Sequence, residues 1–163
     1  MSGKVRLTPV DEQNLEPLLS VAVAEADPDE VMPPVSAPIG WSHARREAFR
    51  SFHRSHFEGL SGPGRTIMYA IVIDQDVVGM IRLAQRDEPG VVETGFWLGR
   101  SAREQGIGTA ALRALLAEAA GIGAKVVVAE TTAGNDPALG MLRRCGAELK
   151  PDGGETVHAE IHL

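Results

Sequence analysis

Between a strand-like run at Glu93–Leu98 and a run of helix formers at Thr109–Ala120 lies the stretch Arg103-Glu104-Gln105-Gly106-Ile107-Gly108. A strand, a glycine turn and a helix N-terminus in that order make a cradle for an anion. The first four amides of a helix have no internal partner, and the helix macrodipole places about half a positive charge there. A phosphate lying across Gly106, Ile107 and Gly108 would therefore meet converging donors. Gly106 and Gly108 carry no Cβ to hold such a ligand off the backbone.

Two other readings of this turn compete. Gly106, Gly108 and Ala111 also satisfy the G-x-G-x-x-A dinucleotide fingerprint, with Glu130 near the distance at which an acid would bind a ribose. A Rossmann turn, however, follows its first strand tightly and is succeeded by more βα units. Here the spacer Gly99–Gln105 precedes the helix, and only 55 residues follow Gly108. A plain helix-capping loop is the remaining alternative, since glycine is common at turns.

The spacing Arg-x-x-Gly-x-Gly, after a strand ending in an apolar residue, resembles motif A of the GNAT superfamily of acyl-CoA-dependent N-acetyltransferases. Ile67–Ile73, the turn Asp74-Gln75-Asp76 and Val77–Leu83 look like that family's second and third strands. Asn135, Ala138, Leu142 and Gly146 look like its motif B helix. The resemblance covers about residues 66 to 150 of a single domain, 1–163. Glu93-Thr-Gly-Phe96-Trp97-Leu98, with Leu at 142, is most similar to the branch that contains the ribosomal-protein N-terminal acetyltransferases. It implies a mixed α/β (α+β) fold, with a mostly antiparallel central sheet of about seven strands flanked by about four helices.

The activity implied is attack of an amine on the thioester of acetyl-CoA in a ternary complex, with no acyl-enzyme. Gln105, Gly106, Ile107, Gly108 and Thr109, with Arg103, would hold the pyrophosphate. The backbone of Phe96, Trp97 and Leu98 would pair with the pantetheine arm, and Asn135 would orient it. A lysine-like amine must first lose a proton, which costs about 4.6 kcal/mol at pH 7. A carboxylate can take that proton directly or through water. Two glutamates match bases of family members: Glu130, five residues before Asn135, and Glu93, at the start of its strand. Many relatives carry a tyrosine seven residues after the motif B asparagine to protonate the leaving thiolate. This chain has Leu142 there, and its only tyrosine is Tyr69. That departure keeps open a non-catalytic acyl-CoA-binding sensor or docking module.

Charge bears on the acceptor. From Leu7 to Ala44 there is no Lys or Arg, while Asp11, Glu12, Glu16, Glu25, Asp27, Asp29 and Glu30 all fall there. Arg45, Arg46, Arg50 and Arg54, with His43, His53 and His56, then reverse the sign. Both runs read as solvated faces unless they line a site. If Glu25, Asp27, Asp29 and Glu30 line the mouth, they would draw in a small cationic amine such as a polyamine or an amino sugar antibiotic. A peptide or protein N-terminus is the alternative acceptor, and a homodimer is compatible with either.

With 163 residues, 44% hydrophobic and 23% charged, the chain fits one ordered domain of ordinary size. A net charge of −6 argues against a nucleic-acid surface. No apolar run suits a bilayer or a signal peptide, so a cytoplasmic protein is expected. Cys145 is the only cysteine, which excludes an internal disulfide. His158, Glu160 and His162 share a strand face, but same-face neighbours on one strand sit about 7 Å apart, so no metal is expected.

The positioning elements follow from periodicity. Lys4–Val10 reads as a strand, and Asp11 caps a helix to about Ala26. Asp27–Gly40, with Pro28, Pro33, Pro34 and Pro38, reads as a long loop and a candidate lid. Ser42 caps a second helix with Ala48, Phe49, Phe52 and His56 as its apolar stripe. A hairpin over 67–84, a strand at Val91–Leu98 and a helix from the glycine turn to Gly121 come next. Lys125–Ala129 reads as a central strand covered on both faces. Pro137 opens a helix ending at Gly146, and strands at Ala147–Leu149 and Thr156–Leu163 close the sheet.

Overall fold

A computed structural model describes residues 4–163, so the first three residues of the expected domain, and of the N-terminus read as no signal peptide, lie outside it. The strands are β1 (Val5–Pro9), β2 (Thr66–Ile73), β3 (Asp76–Gln85), β4 (Val91–Leu98), β5 (Val126–Thr132), β6 (Glu148–Pro151) and β7 (Thr156–His162). They form one sheet in the order β1-β2-β3-β4-β5-β7-β6. Every pairing is antiparallel except β4 with β5. The helices are α1 (Glu12–Glu25), α2 (Pro28–Val31), α3 (His43–Arg54), α4 (Ile107–Gly121) and α5 (Asp136–Arg144).

Strand alternation sends side chains into two cores. Tyr69, Ile71 and Ile73 of β2 pack with Leu112 and Leu115 of α4 and Met141 and Leu142 of α5. Met68, Ala70 and Val72, one residue out of phase, pack with Leu15, Leu18 and Leu19 of α1 and Phe49 of α3. The period of two thus gives each sheet face its own helices.

The charge runs of the sequence meet across the α1–α3 seam. Arg54 Nε donates to Glu12 at 2.7 Å, and Arg50 reaches Glu16 through Nε at 2.8 Å and Nη2 at 2.9 Å. Asp11 caps α1, accepting from Gln13 and Asn14 N–H. These acids are thus partnered and do not form a bare solvated face.

Several expectations need correction. The segment read as a long loop begins with the single turn α2, which makes five α-helices among the described residues where about four helices were expected. Proline at the first helical position loses no bond that a helix would make, and Asp27 N–H is satisfied by Glu30 Oε1 at 3.0 Å. Val31 and Met32 are buried, and Trp41 Nε1 donates to Ala26 O at 2.9 Å, pinning both ends of the segment. Helix α3 stops before His56, and His53 occupies its buried face. Strand β5 has only Val127 fully buried, because neither α1 nor α3 extends over that half of the sheet.

Candidate active site

The parallel pair β4–β5 holds register for only three residue pairs, Val91↔Val126, Val92↔Val127 and Glu93↔Val128. Beyond Glu93 the strands diverge, and the gap opens into a cleft of about 1390 Å³ between them. That exceeds the usual range for a drug-sized ligand and suits a long one. Phe96, Trp97 and Leu98 form one wall, with their other edge paired to Ile81, Met80 and Gly79. Ala129, Glu130 and Thr131 of β5 form the opposite wall, and the α4 N-terminus closes one end.

Gly106 is the N-cap of α4 in the left-handed region, with φ +79°, a conformation that disfavours every residue with a Cβ. No side chain caps this helix, and the first amide to find an intrahelical acceptor is that of Ala110, on Gly106 O at 3.1 Å. The amides just before it are the free donors of an anion cradle. The space beside Gly106 is open. A pyrophosphate fits this turn.

The residues expected to bind the donor are distributed unevenly. Phe96, Trp97, Leu98, Arg103, Gly106, Gly108, Thr109 and Asn135 line the cleft. Ile107 is buried and offers only its backbone, and Gln105 donates its side-chain amide to Ser101 O at 2.6 Å. Arg103 turns away from the turn, with Nε on Leu98 O at 2.9 Å and Nη2 on Glu30 at 3.4 Å. Asn135 Oδ1 caps α5 by accepting from Ala138 N–H at 3.2 Å. Leu142 is buried in the α4-side core and also lines the cleft.

Both candidate bases border the cleft in opposite electrostatic settings. Burial pushes the Glu93 carboxyl up, but the hydrogen bond and charge of Arg82, with Arg86 beside it, outweigh burial and hold it below the ordinary carboxylate range. Arg82 Nη2 donates to Glu93 at 2.9 Å, and its guanidinium lies over Gly95, where a Cβ would sit 2.2 Å from Nη1. Among the described residues Glu130 has no arginine partner. Its Oε1 lies 3.2 Å from Nδ1 of His158, the residue opposite it on β7. Glu130 is 68% exposed and Glu93 31%, so Glu130 is the more accessible carboxylate.

Of the acidic residues expected at the mouth, only Glu30 lines the cleft. Glu25 accepts from Ser101 N–H at 2.6 Å, Asp27 pairs with Arg100 at 3.3 Å and Glu30 with Arg103. Asp29 is exposed on α2. The sequence reading missed Arg82, Arg100, Arg113 and Arg144, all on the cleft wall. Only Arg113 carried a local signal, standing one helical turn after Thr109. Glu160 and His162 approach Glu148 of β6, with donor atoms within 4.8 Å, while Lys150 holds Glu160 and His158 is turned to Glu130.

A sheet splayed at one parallel joint, with a glycine-turned helix N-terminus at the mouth, makes a long cleft with an anion cradle at one end. The model of the acetyltransferase (GNAT) domain family matches residues 4–148. The chain belongs to the GNAT acetyltransferase family and is, with it, an acetyl-CoA-dependent N-acetyltransferase. No curated protein sequence matches it. Solved structures share the fold at low identity. A RimL ribosomal L7/L12 alpha-N-protein acetyltransferase in complex with coenzyme A is 19% identical, with TM-score 0.76, covering 99% of this chain and 96% of that one. RimJ of Mycobacterium smegmatis, in complex with CoA-disulfide, is 20% identical, with TM-score 0.77, covering 98% and 82%. The microcin C7 self immunity acetyltransferase MccE, in complex with acetyl-CoA and AMP, is 15% identical, with TM-score 0.74, covering 98% and 93%.

Proposed function

We propose that the protein transfers the acetyl group of acetyl-CoA to the α-amino group of a peptide or protein N-terminus. The observation that carries this reading is the state of the acidic run. Glu25, Asp27 and Glu30 are each engaged by a backbone amide or an arginine, so the mouth is no trap for a polycation. An α-amine also asks less of the protein. Its pKa of roughly 7.7–8.0 makes deprotonation at pH 7 cost about 1 kcal/mol, against about 4.6 kcal/mol for a lysine-like amine. The similarity to the RimL and RimJ structures agrees with this acceptor.

Acetyl-CoA supplies the acetyl group as a thioester. The turn Gln105–Thr109 binds the pyrophosphate through backbone amides, and the open edge of β4 at Phe96–Leu98 orients the pantetheine arm by strand-like pairing. Glu130 receives the proton of the incoming amine, and His158 Nδ1 fixes the orientation of its carboxylate. Glu93, clamped by Arg82 and Arg86, shapes the pocket floor and keeps its charge. Leu142 offers no proton to the leaving thiolate. A thiol with pKa near 8.5 can be protonated by water, so no side-chain acid is required.

A small cationic amine, such as a polyamine or an amino sugar antibiotic, is the second reading. Exposed Asp29 and the similarity to MccE favour it. Thiol release from acetyl-CoA, measured against peptides of varied first residue and against polyamines and aminoglycosides, separates the two. Mass spectrometry would locate the acetyl group. Acetylation of peptide α-amines with discrimination by the first residue is expected, and turnover confined to the small amines would overturn the proposal.

A further inference from the structure

One guanidinium group and one carboxylate face each other where β4 and β5 part. Side chains alternate along β4, so Glu93, Gly95 and Trp97 share a face, and Trp97 belongs there to the core built with Leu18 of α1 and Phe49 of α3. Arg82 is the cross-strand partner of Gly95 and shares that face. On β5, Val127 and Ala129 pack toward α4, which turns Glu130 to the same face as Gly95. Arg82, Gly95 and Glu130 all line the cleft, and α4, with its glycine turn, packs on the other face.

The seat of Arg82 is built. A Cβ on Gly95 would fall 2.2 Å from Nη1, 2.6 Å from Cζ and 2.9 Å from Nη2, so only glycine lets the guanidinium rest against the β4 backbone. Thr94 Oγ1 donates to Arg82 O at 2.8 Å and fixes the backbone beneath it. Arg82 Nη2 donates to one oxygen of Glu93 at 2.9 Å, and Arg86 holds the other oxygen. Two guanidinium groups thus share one carboxylate, which leaves one positive charge in excess. Among the described residues, Nε and Nη1 of Arg82 meet no acceptor, and the side chain is 37% exposed.

Glu130 stands level with this seat. The last parallel pair is Glu93↔Val128, and Gly95 and Glu130 each lie two residues beyond it, where the strands have moved apart from their paired spacing of about 4.8 Å. A carboxylate suited to an ammonium therefore faces a guanidinium suited to a second carboxylate. We propose that Arg82 selects acceptors that carry an acidic side chain within the first two residues of the chain, its Nη1 holding that carboxylate while Glu130 meets the α-amine. The proposal rests on the α-amine reading given above and narrows it to acidic N-termini. A basic side chain in the same place would meet the excess positive charge, so the arrangement also works against cationic acceptors.

The test is kcat/KM for acetylation of peptides identical except in their first two residues, which are Ser-Ala, Ser-Asp, Asp-Ala or Ser-Lys. The wild-type protein is expected to prefer the better acidic peptide to Ser-Ala by about 10-fold, the low end for a hydrogen bond to a charged group because Arg82 is part exposed, and to use Ser-Lys least. In Arg82→Gln the acidic preference should fall to within about 3-fold, while Arg82→Lys, which keeps the charge without the fork, should retain part of it. Equal use of acidic and neutral peptides by the wild type would overturn the proposal whether or not the variants fold. A parallel loss on every peptide in folded Arg82→Gln would also overturn it, by reducing Arg82 to a support for Glu93. Acetylation of small amines and of no peptide would overturn the α-amine reading itself, and this selection with it.

Discussion

Replacing His53 with Leu should flatten the pH dependence of stability between pH 7.5 and 5. His53 is fully buried on α3, its ring 4.6 Å from that of Phe49 between centroids, and neither ring nitrogen has a hydrogen-bond partner among the described residues. Burial, reinforced by His56, pushes its pKa down from 6.5 to about 4. The unfolded chain takes up a proton between those values that the folded chain refuses, so stability falls as pH falls through the window. Integrated from pH 7.5 to 5.0, this one group removes about 2 kcal/mol. For a domain of this size that is a drop in Tm of about 4–8 °C. Glu12, Glu16, Glu25, Glu93 and Glu160 have depressed values and contribute stability that is lost only as pH falls below 4.5, so their window lies beneath that of His53. Urea unfolding at pH 7.5, 6.5, 5.5 and 5.0 reads the difference. The wild type should lose about 2 kcal/mol and the Leu variant under about 0.5 kcal/mol. Parallel losses in the two proteins would refute the argument, because they would mean that the imidazole finds water or a partner in solution.

Three further outcomes follow from the cleft. Glu130→Gln should lower kcat by about 10²- to 10⁴-fold, as loss of a proton acceptor does, with little change in KM or Tm. Glu93→Gln should instead lower Tm and raise KM, because it leaves Arg82 and Arg86 without their shared partner; the opposite pattern in steady-state kinetics would exchange the two roles. Gly106→Ala puts a Cβ on a residue with φ +79° and costs about 1–2 kcal/mol, read as a small fall in Tm. Its larger expected effect is weaker acetyl-CoA binding by calorimetry, and unchanged affinity would place the pyrophosphate elsewhere.

The parts of the fold that obey local rules were legible in the chain. Asp11 and Ser42 cap their helices, Val91–Leu98 is a strand with the expected bounds, and the glycine turn opens α4. The misses came from tertiary context. The helix opened by Pro28 is the exception, a local signal passed over: Asp27-Pro28-Asp29-Glu30 has capping-box spacing, and Glu30 reaches back to Asp27 N–H. His53 sits among arginines and reads as charged, yet it follows Phe49 by one helical turn on the same face of α3 and is buried with it. Glu148 joined Glu160 and His162 only because β6 pairs with β7 in a register that strand spacing alone does not give.

The same limit explains the acceptor. Seven acids without an intervening Lys or Arg look like a field, but charge in a sequence carries no record of what faces it. In the fold, Glu12 and Glu16 lock α1 to α3, and Glu25, Asp27 and Glu30 lock the end of α1 and α2 to the segment 100–103 that leads into the glycine turn. The acidic run thereby joins α1, α2 and α3 to the segment that leads into the glycine turn. Exposed ion pairs are each worth under about 1 kcal/mol, so their role is to fix relative position more than to add stability.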